Sequence, residues 1–241
     1  MERLNKTIFI TGSTKGIGLE IAKKFQKENF IVITNSRKKQ YKDKKFFHLK
    51  GDLTKTIEVK KICKELKKFN KLDVLVCNVG YSQYKYNEFP KLKEINHSLD
   101  KNFFSCFIIL NELKNFLIKS KTKIICISSI AGSEVLKKTP ISYSISKSLL
   151  NNYLKHLSKS FAKHDVRLNT ISPGDILFDG SIWDKKMKKS KKNTLKYVKE
   201  NVPLNKFGFP KDIANAVFFL SSDENNFISG SNLLIDGGQT N

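Results

Sequence analysis

Hydrophobic and polar positions alternate along this chain with two different periods. Short apolar runs stand at Thr7–Thr11, Ile31–Asn35, Lys45–Leu49, Leu72–Cys77, Lys123–Ser128, Val166–Ile171 and Asn232–Ile235. Between them lie Gly16–Asn29, Lys55–Phe69, Leu99–Ile118, Ser142–Lys163 and Lys211–Ser221, where apolar residues return with helical spacing. A short, continuous apolar run suits a strand covered on both faces, and a 3.6-residue period suits an amphipathic helix. Strand and helix in regular succession predict an α/β fold: a doubly wound parallel sheet of about seven strands with helices on both faces. No Pro/Gly/Ser-rich linker or fixed-period repeat divides the chain, so one domain over residues 1–241 is expected. One stretch breaks the alternation. Asp175–Pro203 is too long for an ordinary connection and reads as a substrate loop or lid with helical pieces.

The first strand runs into Thr11-Gly12-Ser13-Thr14-Lys15-Gly16-Ile17-Gly18, which opens the first helix. Strand, glycine turn and helix form the context of a dinucleotide-binding fingerprint, in which the helix N-terminus faces the pyrophosphate. Asp52, Asn78, Ser129 and Pro173-Gly174 likewise follow strands directly, at the edge where ligands of such sheets bind.

Composition narrows the classes. The formal net charge of +23 invites a nucleic-acid reading, but the excess is almost all lysine and the arginines are only Arg3, Arg37 and Arg167. Base readout leans on arginine, and lysine occurs on every expected helix, so no nucleic-acid role is expected. No apolar stretch approaches the ~20 residues of a membrane span. The start of the chain lacks the apolar core of a signal peptide. A cytoplasmic protein without a membrane partner is expected. Cys63, Cys77, Cys106 and Cys126 lack metal-ligand spacing and read as small buried hydrophobes, and the four histidines form no pattern, so no metal site is expected.

Tyr143 and Lys147 stand one helical turn apart, on one helix face. A neighbouring ammonium favours the phenolate and lowers a tyrosine pKa. A tuned proton donor beside a nucleotide site points to hydride exchange with a carbonyl.

The Thr-Gly-x-x-x-Gly-x-Gly turn together with Tyr-x-x-x-Lys resembles the short-chain dehydrogenase/reductase family, built on a single Rossmann-type sheet. Other landmarks follow in order: Asp52-Leu53, Cys77-Asn78-Val79-Gly80, Asn102, Ser128-Ser129, Asn169 to Gly174, and Asp236-Gly237-Gly238. The resemblance implies an oxidoreductase with a catalytic tetrad of Asn102, Ser129, Tyr143 and Lys147. Tyr143 would be the general acid or base, and Ser129 would hydrogen-bond the substrate oxygen. Lys147 would tune Tyr143 and bind the nicotinamide ribose, and Asn102 would hold a water in a relay to Lys147. Ser129, rather than Ser128, takes the family position before Ile130-Ala131-Gly132.

Cofactor contacts are implied for Gly12, Ser13, Lys15, Gly16, Ile17, Gly18, Ser36, Arg37, Asp52, Leu53, Asn78, Gly80, Tyr143, Lys147, Pro173, Gly174 and Ile176. At the end of the second strand an NAD-preferring protein commonly carries an acid. Here Ser36 holds that place, with Arg37 after it and Lys15 in the glycine turn. Cations suit a 2′-phosphate, so NADP(H) is favoured over NAD(H). Where family members often carry a threonine two residues beyond Ile176, this chain has Phe178.

The substrate reading divides. Val202 to Pro210 and the Asp-Gly-Gly run resemble 3-oxoacyl-acyl-carrier-protein reductases, while Cys77 to Gly80 and Pro173 to Trp183 look more like reductases of surface-polysaccharide or sugar biosynthesis. Trp183 either stacks on a sugar or base or anchors the lid. Lys185, Lys186, Lys188, Lys189, Lys191 and Lys192 either steer an anionic substrate or form a solvated face. A non-catalytic dinucleotide-binding regulator is the remote alternative, opposed by the complete tetrad. The resemblance also implies a homotetramer or homodimer pairing Leu99–Ile118 and Ser142–Lys163.

Overall fold

The computed structural model describes residues 6–38, 46–82 and 85–240. Seven strands form one sheet: β1 (Thr7–Ile10), β2 (Ile31–Ser36), β3 (Phe47–Lys50), β4 (Val74–Cys77), β5 (Lys123–Ile127), β6 (Leu168–Pro173) and β7 (Asn232–Ile235). Their order is β3-β2-β1-β4-β5-β6-β7. Every neighbouring pair is parallel. The chain reverses its direction of winding between β1 and β4. A crevice forms there, because the connections leave to opposite faces.

Strand side chains alternate between two cores. Phe9, Ile33, Leu75, Cys77, Ile124, Cys126 and Leu168 pack on one face against helices α2 (Thr56–Leu66), α4 (Ser105–Ser120) and α5 (Ile141–Ala162). Ile8, Ile10, Val32, Val74, Val76, Ile125, Ile127 and Ile171 pack on the other against α1 (Gly16–Lys27) and α8 (Pro210–Ser221). This two-sided burial is why the strands read as unbroken apolar runs.

Element boundaries shift from the sequence pattern by a residue or two at many ends, and three differences stand out. The expected helix Leu99–Ile118 starts seven residues earlier: α3 (Leu92–Leu99) runs through a π turn, Asp100–Phe104, into α4. Lys93, Glu94, Asn96 and His97 gave that first part too little apolar signal. The β6 strand is shifted towards the C-terminus, because Val166 is used to close α5 through a hydrogen bond to Phe161 O. Strand β3 begins at Phe47, and Lys45 lies outside the described residues. The long stretch after β6 does carry helical pieces, α6 (Ile182–Lys189) and α7 (Lys191–Asn201).

Helix α1 lies unusually close to the sheet edge. A Cβ on Gly18 would stand 2.5 Å from Asn78 Nδ2 and 2.7 Å from Gly12 O. Gly18→Ala is therefore expected to force the helix off the turn. Overpacking of this kind costs roughly 1–3 kcal/mol, readable as a fall of several degrees in the melting temperature. An unchanged melt would show that α1 has room to retreat.

Candidate active site at the carboxyl edge of the sheet

The glycine turn is stitched to the end of β4. Thr11 Oγ1 accepts from Asn78 N (2.8 Å) and Val79 N (3.2 Å), and Asn78 Nδ2 donates to Thr11 O and Gly12 O, both at 3.0 Å. Gly16 has φ +56°, a left-handed conformation that costs glycine nothing. Helix α1 begins without a side-chain cap, leaving its first-turn N–H groups to an anion. That start fits a pyrophosphate. Lys15 and Arg37 are both exposed beside it, and cations there fit a further phosphate.

Not every expected contact residue faces this edge. Ser13 is fully buried: its hydroxyl donates to Ile10 O (2.8 Å) and accepts from Asn35 N (3.0 Å), and its N–H donates to Asn35 O (3.0 Å). Its hydroxyl and N–H hold the turn to β2. The Leu53 side chain belongs to the core. Ser36 Oγ donates to Lys38 O at 2.5 Å and meets His48 Nε2 at 3.2 Å. Asp52 accepts from Thr54 N and Oγ1 and pairs with Lys101 at 3.7 Å. Burial raises the Asp52 pKa, but the Thr54 hydrogen bonds and the cations of Lys101 and Arg37 outweigh it and leave it lowered.

The four residues expected to form a tetrad converge. The π turn directs Asn102 inward, where it is fully buried. Its Oδ1 accepts from Tyr81 N (2.8 Å), and its Nδ2 donates to Tyr81 O and Ser146 Oγ, both at 3.1 Å. Ser146 in turn donates to Tyr143 O (2.7 Å). Ser146 was not singled out from sequence, because one serine among many in α5 carries no signal. A Cβ on Gly80 would lie 3.1 Å from Lys147 Nζ and 3.3 Å from Asn102 Oδ1. Ser129 caps a short 3-10 turn, accepting from Ala131 N at 3.2 Å.

The electrostatics differ from the sequence expectation. Lys147 does not lower the Tyr143 pKa here. Its Nζ donates to Ile127 O (3.1 Å) and sits 5.8 Å from the Tyr143 ring centroid. Burial pushes the Tyr143 pKa up, opposed by the neighbouring Ser129 hydroxyl. Burial also pushes Lys147 down to about 8, with Cys106 and Cys126 opposing.

Beyond β6, Ile176 is buried and bridges Gly208. Phe178 lies on the glycine turn: its ring would stand 2.6 Å from a Cβ on Gly16. Trp183 stacks on Tyr197 at 4.8 Å, tilts against Phe207 at 5.3 Å and carries Lys186 Nζ at 3.9 Å from its ring. These contacts pack Trp183 into the segment after β6 and leave it half-buried. Burial raises the Asp175 pKa, while hydrogen bonds from Gln239, Trp183 and Tyr197 and the Lys186 charge oppose it. Lys188 pairs with Asp184 (2.7 Å) and Asp179 (3.3 Å).

Known proteins resemble this chain in sequence and fold. A family profile described as Enoyl-(Acyl carrier protein) reductase matches residues 12–240. The 3-oxoacyl-acyl-carrier-protein reductase FabG of Rickettsia conorii is 32% identical over 97% of this chain and 96% of its own. Glucose 1-dehydrogenase 2 of Bacillus subtilis is 28% identical over 98% and 95%. Among solved structures, a short chain dehydrogenase from Leptospira borgpetersenii with bound NAD+ superposes with a TM-score of 0.87. It is 27% identical and covers 98% of this chain and 93% of its own. ElxO with NADP bound gives 0.89 at 27% identity, covering 98% and 99%.

The depressed Lys147 pKa makes a signed prediction. Below pH 8 the folded chain buries an ammonium; between about 8 and 10.5 it has lost that proton while the unfolded chain keeps it. The unfolded state then binds more protons, so this lysine's contribution to stability rises with pH, by roughly 3 kcal/mol in total. Relative to Lys147→Met, the parent should gain melting temperature from pH 7 to pH 10.5. A constant difference across that range would show Lys147 to be ordinarily solvated.

Proposed function

This chain belongs to the short-chain dehydrogenase/reductase family, oxidoreductases of alcohol and carbonyl groups, and on that premise we propose that it reduces a carbonyl to an alcohol with NADPH, or runs the reverse. The observation that carries this reading is the meeting of Asn102, Lys147 and Gly80 at the switch point, one turn from Tyr143 and across from the glycine turn.

NADPH, when bound, supplies the hydride. The uncapped start of α1 with Gly12, Gly16, Ile17 and Gly18 would hold its pyrophosphate, Lys15 and Arg37 its 2′-phosphate, Asp52 its adenine edge, and Asn78, Gly80, Pro173, Gly174 and Ile176 the trough between. Tyr143 delivers the proton to the substrate oxygen. Ser129 donates a hydrogen bond to that oxygen and stabilises the charge that develops on it. Lys147 must be charged and turned towards Tyr143 for the phenol to give up its proton easily. Asn102 fixes the Tyr81 backbone and Ser146, and so shapes the wall beside Lys147.

The proposed substrate is a sugar or nucleotide-sugar of the kind used in surface-polysaccharide biosynthesis. The likeness to a glucose dehydrogenase supports the sugar part of this reading. The likeness to FabG supports a second one, a 3-oxoacyl group on a carrier protein. Turnover with glucose or nucleotide-sugars against an acetoacetyl thioester separates them. Because Lys186 and Lys188 are engaged within the lid, any steering of an anionic substrate falls to Lys185, Lys189, Lys191 and Lys192. We further propose a homodimer or homotetramer paired through α4 and α5. Phe104, Ile145 and Leu149 leave 39%, 44% and 42% of their surface exposed on that side. No helix among the described residues is long and apolar enough to cross a membrane.

Tyr143→Phe removes the transferable proton and little volume. Positioned acid catalysis contributes roughly 10²–10⁴-fold, so turnover should fall by at least that much while NADPH still binds. Near-parental turnover would sink the assignment. Arg37→Ala should weaken NADPH about ten- to a hundredfold, from the ~1.5–3 kcal/mol of a charged hydrogen bond, with NADH little changed. Equal losses for both would show that Arg37 does not read a 2′-phosphate.

A further inference from the structure

The cysteines have no ligand spacing along the chain, yet the fold gathers three of them. The register between β4 and β5 pairs Cys77 with Cys126, so both side chains leave the sheet on one face. Cys106 on α4 packs onto that face. The three Sγ atoms all lie within 4.8 Å of one another, with Cys106 and Cys126 at 3.8 Å. Cys77, Cys106 and Cys126 are 4%, 5% and 0% exposed. For comparison, a Zn–S bond of about 2.3 Å puts three sulfurs in a plane roughly 4.0 Å apart. The sulfurs already stand near that spacing, with no water or oxygen ligand required.

We propose that Cys77, Cys106 and Cys126 form a three-thiolate site for a soft divalent d10 cation, balanced by the Lys147 ammonium. Thiolates select such ions. On binding, three S–H bonds break, three metal–sulfur bonds form and the protons leave to solvent; no electron is transferred. The three thiolates and the dication carry one net negative charge, which Lys147 cancels. Lys147 already donates to Ile127 O, next to Cys126, and interacts electrostatically with Cys106 and Cys126. Within the cluster Cys106 deprotonates most readily, held by S–H donation from Cys126 and Cys77 and by the Lys147 charge.

The site is next to the one proposed for catalysis. Cys77 precedes Asn78, Cys106 is one helical turn beyond Asn102, and Cys126 is three residues before Ser129. Occupancy would hold Lys147 on the sulfur side of its pocket, away from Tyr143, and so inhibit turnover. That consequence rests on the reductase reading; the binding does not.

Cadmium is the probe. The reduced full chain is refolded with Cd²⁺ under a phosphine reductant, dialysed and analysed for bound metal and for the ultraviolet thiolate-to-cadmium band. One tightly held cadmium per chain with a three-thiolate band is expected, unchanged in Cys63→Ala. Cys106→Ala and Cys126→Ala, checked for fold by circular dichroism, should each bind at least tenfold more weakly. A parent chain that retains no cadmium, or triad variants that match the parent, would overturn the site. Should one variant fail to fold, the parent's stoichiometry and band intensity decide. Cadmium bound with turnover unaffected would leave the site standing and remove only its link to Lys147.

Discussion

In an all-parallel sheet every strand ends at the same edge, and the rest of this molecule follows from that constraint. Residues separated by most of the chain are delivered to one line: the glycine turn after β1, Asn78 and Gly80 after β4, Ser129 after β5 and Gly174 after β6. The price is two-sided burial, since each crossover helix must cover a face. The strands have no polar side to spare, so the chemistry collects in the first residues beyond them. Thr11 and Asn78 then lock the two central ends together by side-chain hydrogen bonds, at the point where the winding reverses.

Charge plays a local part despite the large lysine excess. Most of the lysines lie on the surface, where ion pairs contribute little. Lys147 is different: only 2% exposed, it is held by one carbonyl and influenced by sulfur atoms behind it. In this conformation the lysine serves the sulfur side of its pocket, and the tyrosine is a weaker acid than a free phenol.

Much of this was legible in the sequence, for physical reasons. The strands were apolar enough, and the helices periodic enough, to give the sheet and its edge. The glycine turn was readable because a helix start this close to a strand end leaves no room for a side chain at Gly18. What escaped depended on contacts across the chain. The π turn at Asp100–Phe104 slips the helical period and hides the continuity of α3 with α4. Ser13 looked like a ligand contact, yet its hydroxyl and N–H are used to join β1 to β2. The convergence of Cys77, Cys106 and Cys126 needs both the β4–β5 register and the seating of α4, and neither is written in local spacing. The direction in which Lys147 points is equally invisible from the Tyr-x-x-x-Lys pattern.

Phe178 ties two parts of the molecule into one equilibrium. Its ring rests on Gly16, while the segment that follows it is fastened by Trp183, Tyr197 and Phe207. A ligand that settled on the turn at Gly16 would meet this ring and so compete with the segment's own packing. By reciprocity, whatever loosens that packing strengthens the incoming ligand by the same factor. Substitutions around Trp183, remote from any phosphate, would thus act as tuning screws for dinucleotide affinity.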